Sequence, residues 1–189
     1  MVEKSAQLRR NTFSSGRHCA RKLLETLGQV PIVLLRNADG SVAWPEGFTG
    51  SVSHTNEWAV AGVAVQGLSE AKSIGIDLET VRPIGHTVLK HISTERERED
   101  LGKSTLQTWH VTALFGLKES VYKCLRPAFG SFIRFHDVEI TNIASGRPRL
   151  TIVNPKLSEH CESSDVELRL AVTPSHVFSL AWRQHTNQK

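Results

Sequence analysis

The sequence predicts an α+β protein built from two similar halves that share one cleft. The chain has 189 residues, which is the size of one domain or of two small halves around a common core. A helix followed by strands is predicted twice along it. In addition, Val52–Ser53 and Trp58–Val60 resemble Val172–Thr173 and Phe178–Leu180 in pattern, which is a weak internal repeat. We therefore expect one half over residues 1–84 and another over residues 85–189, with a cleft where they meet.

The first half is predicted to begin with a helix over Leu8–Leu27. Its apolar side chains recur at i, i+3, i+4 and i+7, and Gly28 is placed to end it. Short apolar or alternating runs bounded by turn residues then predict strands at Pro31–Leu35, Gly50–Ser53, Trp58–Val65 and Ser73–Glu79.

The second half is predicted to begin with a charged, partly helical connection over Arg82–Lys103. A strong helix follows over Trp109–Leu125, and we expect Pro127 to stop it. Apolar residues between Ala113 and Leu125 fall on one arc of this helix. Another arc carries Thr112, Gly116, Glu119 and Lys123. The strands predicted after the helix are Phe132–Ile143, Arg149–Val153, Val166–Thr173 and Val177–Trp182.

Charge and composition exclude several classes of protein. The net charge of +4 is a mild basic bias that suits an anionic partner. Basic residues are interspersed with acids and no recognised nucleic-acid-binding module occurs, so we expect no nucleic-acid partner. Cys19, Cys124 and Cys161 lack metal-type spacing, which favours a reducing, cytoplasmic location. The start of the chain lacks a secretory pattern, and the longest apolar run, Trp58–Leu68, is far shorter than the ~18 residues of a membrane span.

Two acidic positions suggest a site for a cation. Asp77 and Glu79 are separated by one residue, so their carboxylates emerge from one face of the predicted strand. Such a pair of oxygen ligands suits Mg²⁺, although a strand that ends in a solvated turn would show the same pattern. Glu119 and Lys123 form either a surface i, i+4 salt bridge or part of a site. Gly116, one turn before Glu119 on the same arc, is either tolerated or keeps space for a ligand or backbone.

Four motifs in order resemble one enzyme family. Ser73–Pro83 contains a GxDxE strand motif and Leu114–Lys123 contains a KExxxK helix motif. Together they resemble the paired signature of the 4′-phosphopantetheinyl transferases. Gly16–Arg21 and Trp44–His54 resemble the siderophore-synthetase branch of that family, the enterobactin-type and surfactin-type enzymes. The resemblance covers Phe13–Gly130.

The resemblance implies a fold, a reaction and partners. Family members consist of two similar α+β halves with the active site at their interface. They transfer the phosphopantetheine arm of coenzyme A to a serine of an apo acyl, peptidyl or aryl carrier protein and release adenosine 3′,5′-bisphosphate. By this resemblance Asp77, Glu79 and Glu119 bind Mg²⁺, with Mn²⁺ as an alternative. Because a chain that duplicates itself internally has less need of a partner subunit, we expect a monomer.

The resemblance also implies roles for individual residues. Lys118 and Lys123 contact the phosphates of coenzyme A, and Lys123 already lies on the site face of the helix. Glu119 and Glu95 are the implied acceptors of the serine proton, although Glu95 also suits a solvated helix face. The implied catalytic set is Glu119, Lys123 and Glu95. The other residues implied to bind coenzyme A are Arg17, Arg21, Gly40, Ser41, Ser53 and His54.

Two other functions remain open at this stage. A non-catalytic protein that binds coenzyme A or a carrier protein would carry the same motifs. Nucleic-acid binding is a weaker alternative, because only the basic charge favours it.

Overall fold

A computed structural model describes residues 2–69, 71–103, 105–129 and 133–184, and for residues 2–13 it describes the backbone alone. The helices in this part of the chain are α1 (Val2–Thr26), α2 (His86–Ile92), α3 (Glu95–Gly102), α4 (Thr108–Phe129) and α5 (Pro155–Ser158). Its strands are β1 (Phe48–His54), β2 (Ala59–Val65), β3 (Ala71–Thr80), β4 (Val138–Thr141), β5 (Arg149–Ile152), β6 (Val166–Val172) and β7 (His176–Gln184). The predicted α+β class is confirmed.

The strands form three antiparallel groups. β1 pairs with β2, β4 pairs with β5, and the third sheet has the order β3-β7-β6. In that sheet β3, from the first half of the chain, lies beside β7 from the second, with Asp77 opposite Ser179 and Glu79 opposite Val177. The sheet therefore joins the two halves at the strand that carries the GxDxE motif.

Two hydrophobic cores lie on either side of this sheet strand. α1 packs against β1 and β2 through a small core that contains Ala20 and Leu24. α4 packs against β3 and β7 through a larger core, to which it contributes the apolar arc predicted from its sequence. The arc residues Ala113, Leu114, Leu117, Val121, Cys124 and Leu125 are all fully buried. α4 is thus fixed against the same strand that carries Asp77.

The hairpins of the weak internal repeat are closed in the same way. Between β1 and β2, the amide of Thr55 donates to the carbonyl of Trp58 at 2.8 Å. Between β6 and β7, the amide of Thr173 donates to the carbonyl of His176, also at 2.8 Å. In both turns the threonine Oγ1 accepts a hydrogen bond from the amide three residues later. The two hairpins therefore share one local design.

Two strand predictions are wrong. Pro31–Leu35 forms no strand, and only an isolated bridge between Arg36 and Val42 follows it. Leu34 enters the small core, whereas Val33 is 76% exposed. Of the predicted Phe132–Ile143 strand, Phe132 lies outside the described residues, and the remainder contains only β4 as a strand, because residues 135–137 form a 3₁₀ turn. Asp137 holds that turn by accepting the amide of Arg134 at 2.8 Å.

The end of α4 also differs from the prediction. The helix continues through Pro127 and ends at Phe129. Proline has a helical φ but cannot donate to the carbonyl four residues earlier, so the last turn of α4 lacks one helix hydrogen bond. Elsewhere the predicted helices and strands are confirmed, including α1, which ends two residues before Gly28.

Gly75 allows α4 and β3 to approach each other closely. A Cβ at this position would collide with the carbonyl oxygen of Ser120 and would lie 2.6 Å from the amide nitrogen of Cys124. No side chain fits in that space. No helix in the described part of the chain is both long enough and apolar enough to cross a membrane.

Candidate active site

A cavity of about 1040 Å³ opens between α1, β1, β3 and the end of α4. Residues before position 84 and residues after it both line this main cavity. The first group includes Arg17, His54 and Asp77, and the second includes Lys123 and Arg126. The cavity is large enough for a cofactor-sized ligand.

Asp77 is the buried carboxylate at the wall of the main cavity. Its Oδ1 accepts a hydrogen bond from Ser53 Oγ at 2.8 Å and lies 2.6 Å from the Lys123 ammonium. Lys123 also donates to the carbonyl of Ile76 at 3.0 Å, and Ser53 Oγ accepts the amide of Leu78 at 3.2 Å. Asp77 Oδ2 is also buried but has no hydrogen-bond partner among the described residues. One oxygen of Asp77 is therefore fully engaged, while the other has unmet capacity.

Three carboxylates share this region. Burial, followed by the negative charge of Asp77, raises the pKa of Glu79 to about 7. Burial also raises the pKa of Glu119, and the positive charge of Lys123 opposes that rise. Asp77 and Glu79 line the main cavity, and Glu119 lies half-buried on the adjoining face of α4. The carboxylates thus lie close enough to influence one another, with Lys123 and Arg82 as the opposing positive charges.

The donor chemistry of this region fits a hard divalent cation. Carboxylate oxygens are the ligands that Mg²⁺ prefers, and the unsatisfied Asp77 Oδ2 is an oxygen with unused acceptor capacity. Among the described residues, however, no three His, Cys, Asp or Glu side chains converge as a metal-binding group. Lys123 instead supplies the positive charge next to Asp77. The three carboxylates predicted to bind a metal, Asp77, Glu79 and Glu119, therefore lie near one another but do not converge on a single point.

Gly116 keeps space beside Asp77. A Cβ on Gly116 would lie 2.9 Å from Ser179 Oγ and 3.4 Å from Asp77 Oδ2. Of the two interpretations of this glycine, a need for space is therefore the one that the packing supports.

Cationic and turn residues also line the main cavity. Arg17 lines it and donates from Nε to the carbonyl of Leu34 at 3.1 Å. Burial, followed by the positive charge of Arg36, lowers the pKa of Arg17. His54 also lines the main cavity and is exposed to solvent. These side chains could bind an anion.

Gly40 and Ser41 line the main cavity as predicted. They belong to a turn in which Asp39 accepts hydrogen bonds from the amide and the hydroxyl of Ser41, at 2.9 and 2.6 Å. Arg126 of α4 reaches this turn, with its guanidinium 3.3 Å from the Asp39 carboxylate. The turn is therefore tied to the second half of the chain.

Glu119 adjoins the main cavity without lining it, and three other predicted site residues lie away from it. Arg21 lines a separate groove beside Trp58, at the start of β2. Glu95 is exposed at the first turn of α3. Lys118 is buried on another side of α4, 2.8 Å from Glu97. Helix geometry directs Arg21 and Lys118 away from the main cavity, and the roles predicted for the three side chains stay predictions.

Sequence reasoning missed several residues that line the main cavity, namely Arg36, Asp39, Trp44, Tyr122 and Arg126. A signal was available for two of them, because Glu119, Tyr122, Lys123 and Arg126 follow the i, i+3, i+4 and i+7 spacing of one helix face. Arg126 also stacks over the ring of Tyr122, 5.5 Å from its centroid.

The buried acid Glu97 was likewise missed, and its signal was the Thr94-x-x-Glu97 pattern of a capping box. That box is present: Thr94 Oγ1 accepts the amide of Glu97, and the Glu97 carboxylate accepts the amide of Thr94. Glu97, rather than Glu95, is therefore the structurally engaged acid of this segment.

Comparison with known proteins identifies related sequences. The chain is 35% identical over 142 residues to the 4′-phosphopantetheinyl transferase Npt of Nocardia iowensis, and this match covers 75% of the chain and 63% of Npt. It is 34% identical over 142 residues to PptT of Mycobacterium tuberculosis, of which 62% is covered. The chain thus spans less than two thirds of the length of these relatives.

Among solved structures, the holo-[acyl-carrier-protein] synthase of Helicobacter pylori in complex with coenzyme A is similar, with 18% sequence identity and a TM-score of 0.44. That match covers 57% of this chain and 96% of the synthase.

Two family models match the chain. The model of the 4′-phosphopantetheinyl transferase N-terminal domain matches residues 1–64. The model of the 4′-phosphopantetheinyl transferase superfamily matches residues 73–181, which include the Asp77 and Lys123 of the site. The chain belongs to the 4′-phosphopantetheinyl transferase superfamily.

Proposed function

We propose that this protein transfers the phosphopantetheine arm of coenzyme A to a serine hydroxyl of an apo carrier protein. The observation that carries the proposal is the Asp77 centre, where one carboxylate oxygen binds Lys123 and the other is buried without a partner among the described residues. This centre lies in the wall of a cavity that Arg17 and His54 also line. The family match and the names of the relatives support the same reaction.

The reaction needs groups that bind phosphate and a group that accepts a proton. The serine oxygen attacks the phosphorus attached to pantetheine, and the bond from that phosphorus to the oxygen of the adenosine-bound phosphate breaks. Adenosine 3′,5′-bisphosphate leaves with that oxygen. Lys123 and Arg17, which both line the main cavity, bind phosphate oxygens. Glu119, beside the cavity on α4, accepts the serine proton.

The same proposal includes a divalent cation. Asp77, Glu79 and Glu119 would hold Mg²⁺, with Mn²⁺ as an alternative, through carboxylate oxygens. When bound, the ion supplies positive charge against the charge that develops on the pyrophosphate. The support is that Asp77 Oδ2 has no hydrogen-bond partner among the described residues and that the negative charge of Asp77 contributes, after burial, to the raised pKa of Glu79.

We further propose that the protein acts in the siderophore-synthetase branch of the family, on a carrier of a peptide- or aryl-assembling enzyme. The support is that Gly16–Arg21 and Trp44–His54 carry this branch's motifs, and that Arg17, Trp44 and His54 all line the main cavity. A competition between aryl, peptidyl and fatty-acid carrier proteins tests the branch. Preference for a fatty-acid carrier would contradict it.

The organisation proposed for the active protein is a cytoplasmic monomer with halves over residues 1–84 and 85–189. The support is that the main cavity takes wall residues from both halves of a single copy. Light scattering during gel filtration tests it, with one chain per particle as the expected result and a stable dimer as the contrary one.

The transfer itself is tested by incubating the protein with coenzyme A, Mg²⁺ and an apo carrier protein, and weighing the carrier. The carrier gains the mass of one phosphopantetheine if the proposal is right. Binding of coenzyme A by calorimetry without any mass gain on several carriers would instead identify a non-catalytic binding protein.

A further inference from the structure

The lysine of the KExxxK motif that precedes Glu119 has no free hydrogen-bond donor. Only 1% of the Lys118 side chain is exposed. Its ammonium lies 2.8 Å from Glu97 Oε2 and donates to the carbonyl oxygens of Phe135, at 2.5 Å, and Val138, at 3.0 Å. A lysine ammonium carries three N–H donors, and all three are used here.

Both carboxylate oxygens of Glu97 also have hydrogen-bond partners. Its side chain is fully buried. Oε1 accepts the amide of Ile140 at 2.7 Å, and Oε2 accepts the amide of Thr94 at 2.7 Å in addition to Lys118. The pair therefore ties α4 to α3, to β4 and to the 3₁₀ turn before β4, with no polar atom left for a ligand.

We propose that the Lys118–Glu97 pair positions α4, and through it Glu119 and Lys123, against Asp77, and that Lys118 does not bind coenzyme A. The proposal rests on the proposed function for the identity of the ligand and of the reacting groups. Its physical basis is that a buried, fully bonded ion pair tolerates little displacement, since a lost partner leaves a buried charge. A helix shifted by one residue moves by about 1.5 Å, which is enough to misplace Glu119.

A double-mutant cycle on thermal unfolding tests the tie without any ligand. Glu97→Gln and Lys118→Met should each lower the melting temperature by about 10 °C, because each leaves a buried partner unpaired. The double variant Glu97→Gln/Lys118→Met removes both charges, and its melting temperature should fall by much less than the sum of the two single losses. Additive losses would overturn the tie. If a single variant does not fold, recovery of folding in the double variant supports the tie, and continued failure to fold counts against it.

Kinetics at a temperature where the variants are folded separate positioning from phosphate binding. Glu97→Gln and Lys118→Met should both lower kcat by about 10- to 100-fold with little change in KM for coenzyme A. Arg96→Gln, which removes an exposed ion pair of α3 with Glu139, is the matched control and should leave both constants unchanged. A rise in KM for coenzyme A in Lys118→Met, with Glu97→Gln unaffected, would overturn the proposal. If the wild-type protein neither binds coenzyme A nor transfers, the proposed function fails, and the unfolding cycle still decides whether the tie exists.

Discussion

Lys123 Nζ lies 2.6 Å from Asp77 Oδ1 and joins α4 to β3 in the wall of the main cavity. Only 4% of Asp77 is exposed, so its negative charge would be costly without a nearby positive charge. The Lys123 side chain is 27% exposed and remains in contact with the cavity. The same carboxylate therefore binds a lysine through one oxygen and keeps the other unsatisfied.

Removal of Lys123 should destabilise the protein more than removal of an exposed lysine. Lys123→Met leaves Asp77 as a buried and uncompensated charge, and we expect the free energy of unfolding to fall by about 2–3 kcal/mol at neutral pH. Lys22→Met is the matched control, because Lys22 forms an exposed ion pair with Glu25 at 2.7 Å. That control should change stability by less than about 0.5 kcal/mol. Equal losses in urea denaturation would show that Asp77 does not depend on Lys123.

The raised pKa of Glu79 makes the stability of the metal-free protein depend on pH. The pKa of Glu79 is about 7 in the folded protein and 4.5 as its ordinary value. Between these values the folded protein binds a proton that the unfolded chain does not, so stability rises as the pH falls from 8 to 5. Glu79→Gln lacks this proton. The melting temperature of the wild type, measured relative to this variant without divalent ions, should therefore increase as the pH falls, and a constant difference would refute the assignment.

Arg17 and Arg21 should differ in their effect on coenzyme A binding. Arg17 lines the main cavity, whereas Arg21 lines the separate groove beside Trp58. Loss of a charge-assisted hydrogen bond in Arg17→Ala should weaken coenzyme A binding about 10- to 100-fold in calorimetry. Arg21→Ala should change the affinity by less than about twofold. The reverse order would place the ligand in the other groove.

Gly75→Ala should separate α4 from β3. The added Cβ would collide with the backbone of α4 at Ser120, which cannot move as a flexible side chain would. We expect a loss of about 3 kcal/mol or more in the free energy of unfolding. Gly102→Ala, at the end of α3 where a Cβ meets no neighbour, is the control and should stay within about 0.5 kcal/mol. A wild-type-like Gly75→Ala would show that the close approach is not required.

Periodicity located the elements of the site but not every side chain. The buried arc of α4 follows directly from helical spacing, because each of its apolar positions faces the larger core. Asp77 and Glu79 were likewise placed together by the alternation of a strand. These inferences succeeded because a local period decided which face a residue occupies.

The errors concern residues whose environment is set by distant parts of the chain. Lys118 is held by Glu97 and by carbonyls near β4. These partners are distant in sequence, so helical spacing around Lys118 does not predict them. Pro31–Leu35 has the composition of a strand, but none of the described strands pairs with it. Tertiary contacts therefore determine both the position of the Lys118 side chain and the conformation of Pro31–Leu35.

The position of a bound metal tests the central role of Asp77 most directly. Crystals grown with coenzyme A and Mn²⁺ should give an anomalous difference peak coordinated by the carboxylates of Asp77, Glu79 and Glu119, with the Lys123 ammonium moved from Asp77 Oδ1 towards the phosphates. The account would be contradicted by a metal peak away from these carboxylates. It would also be contradicted if coenzyme A were bound while Lys123 stayed on Asp77 with no metal beside it.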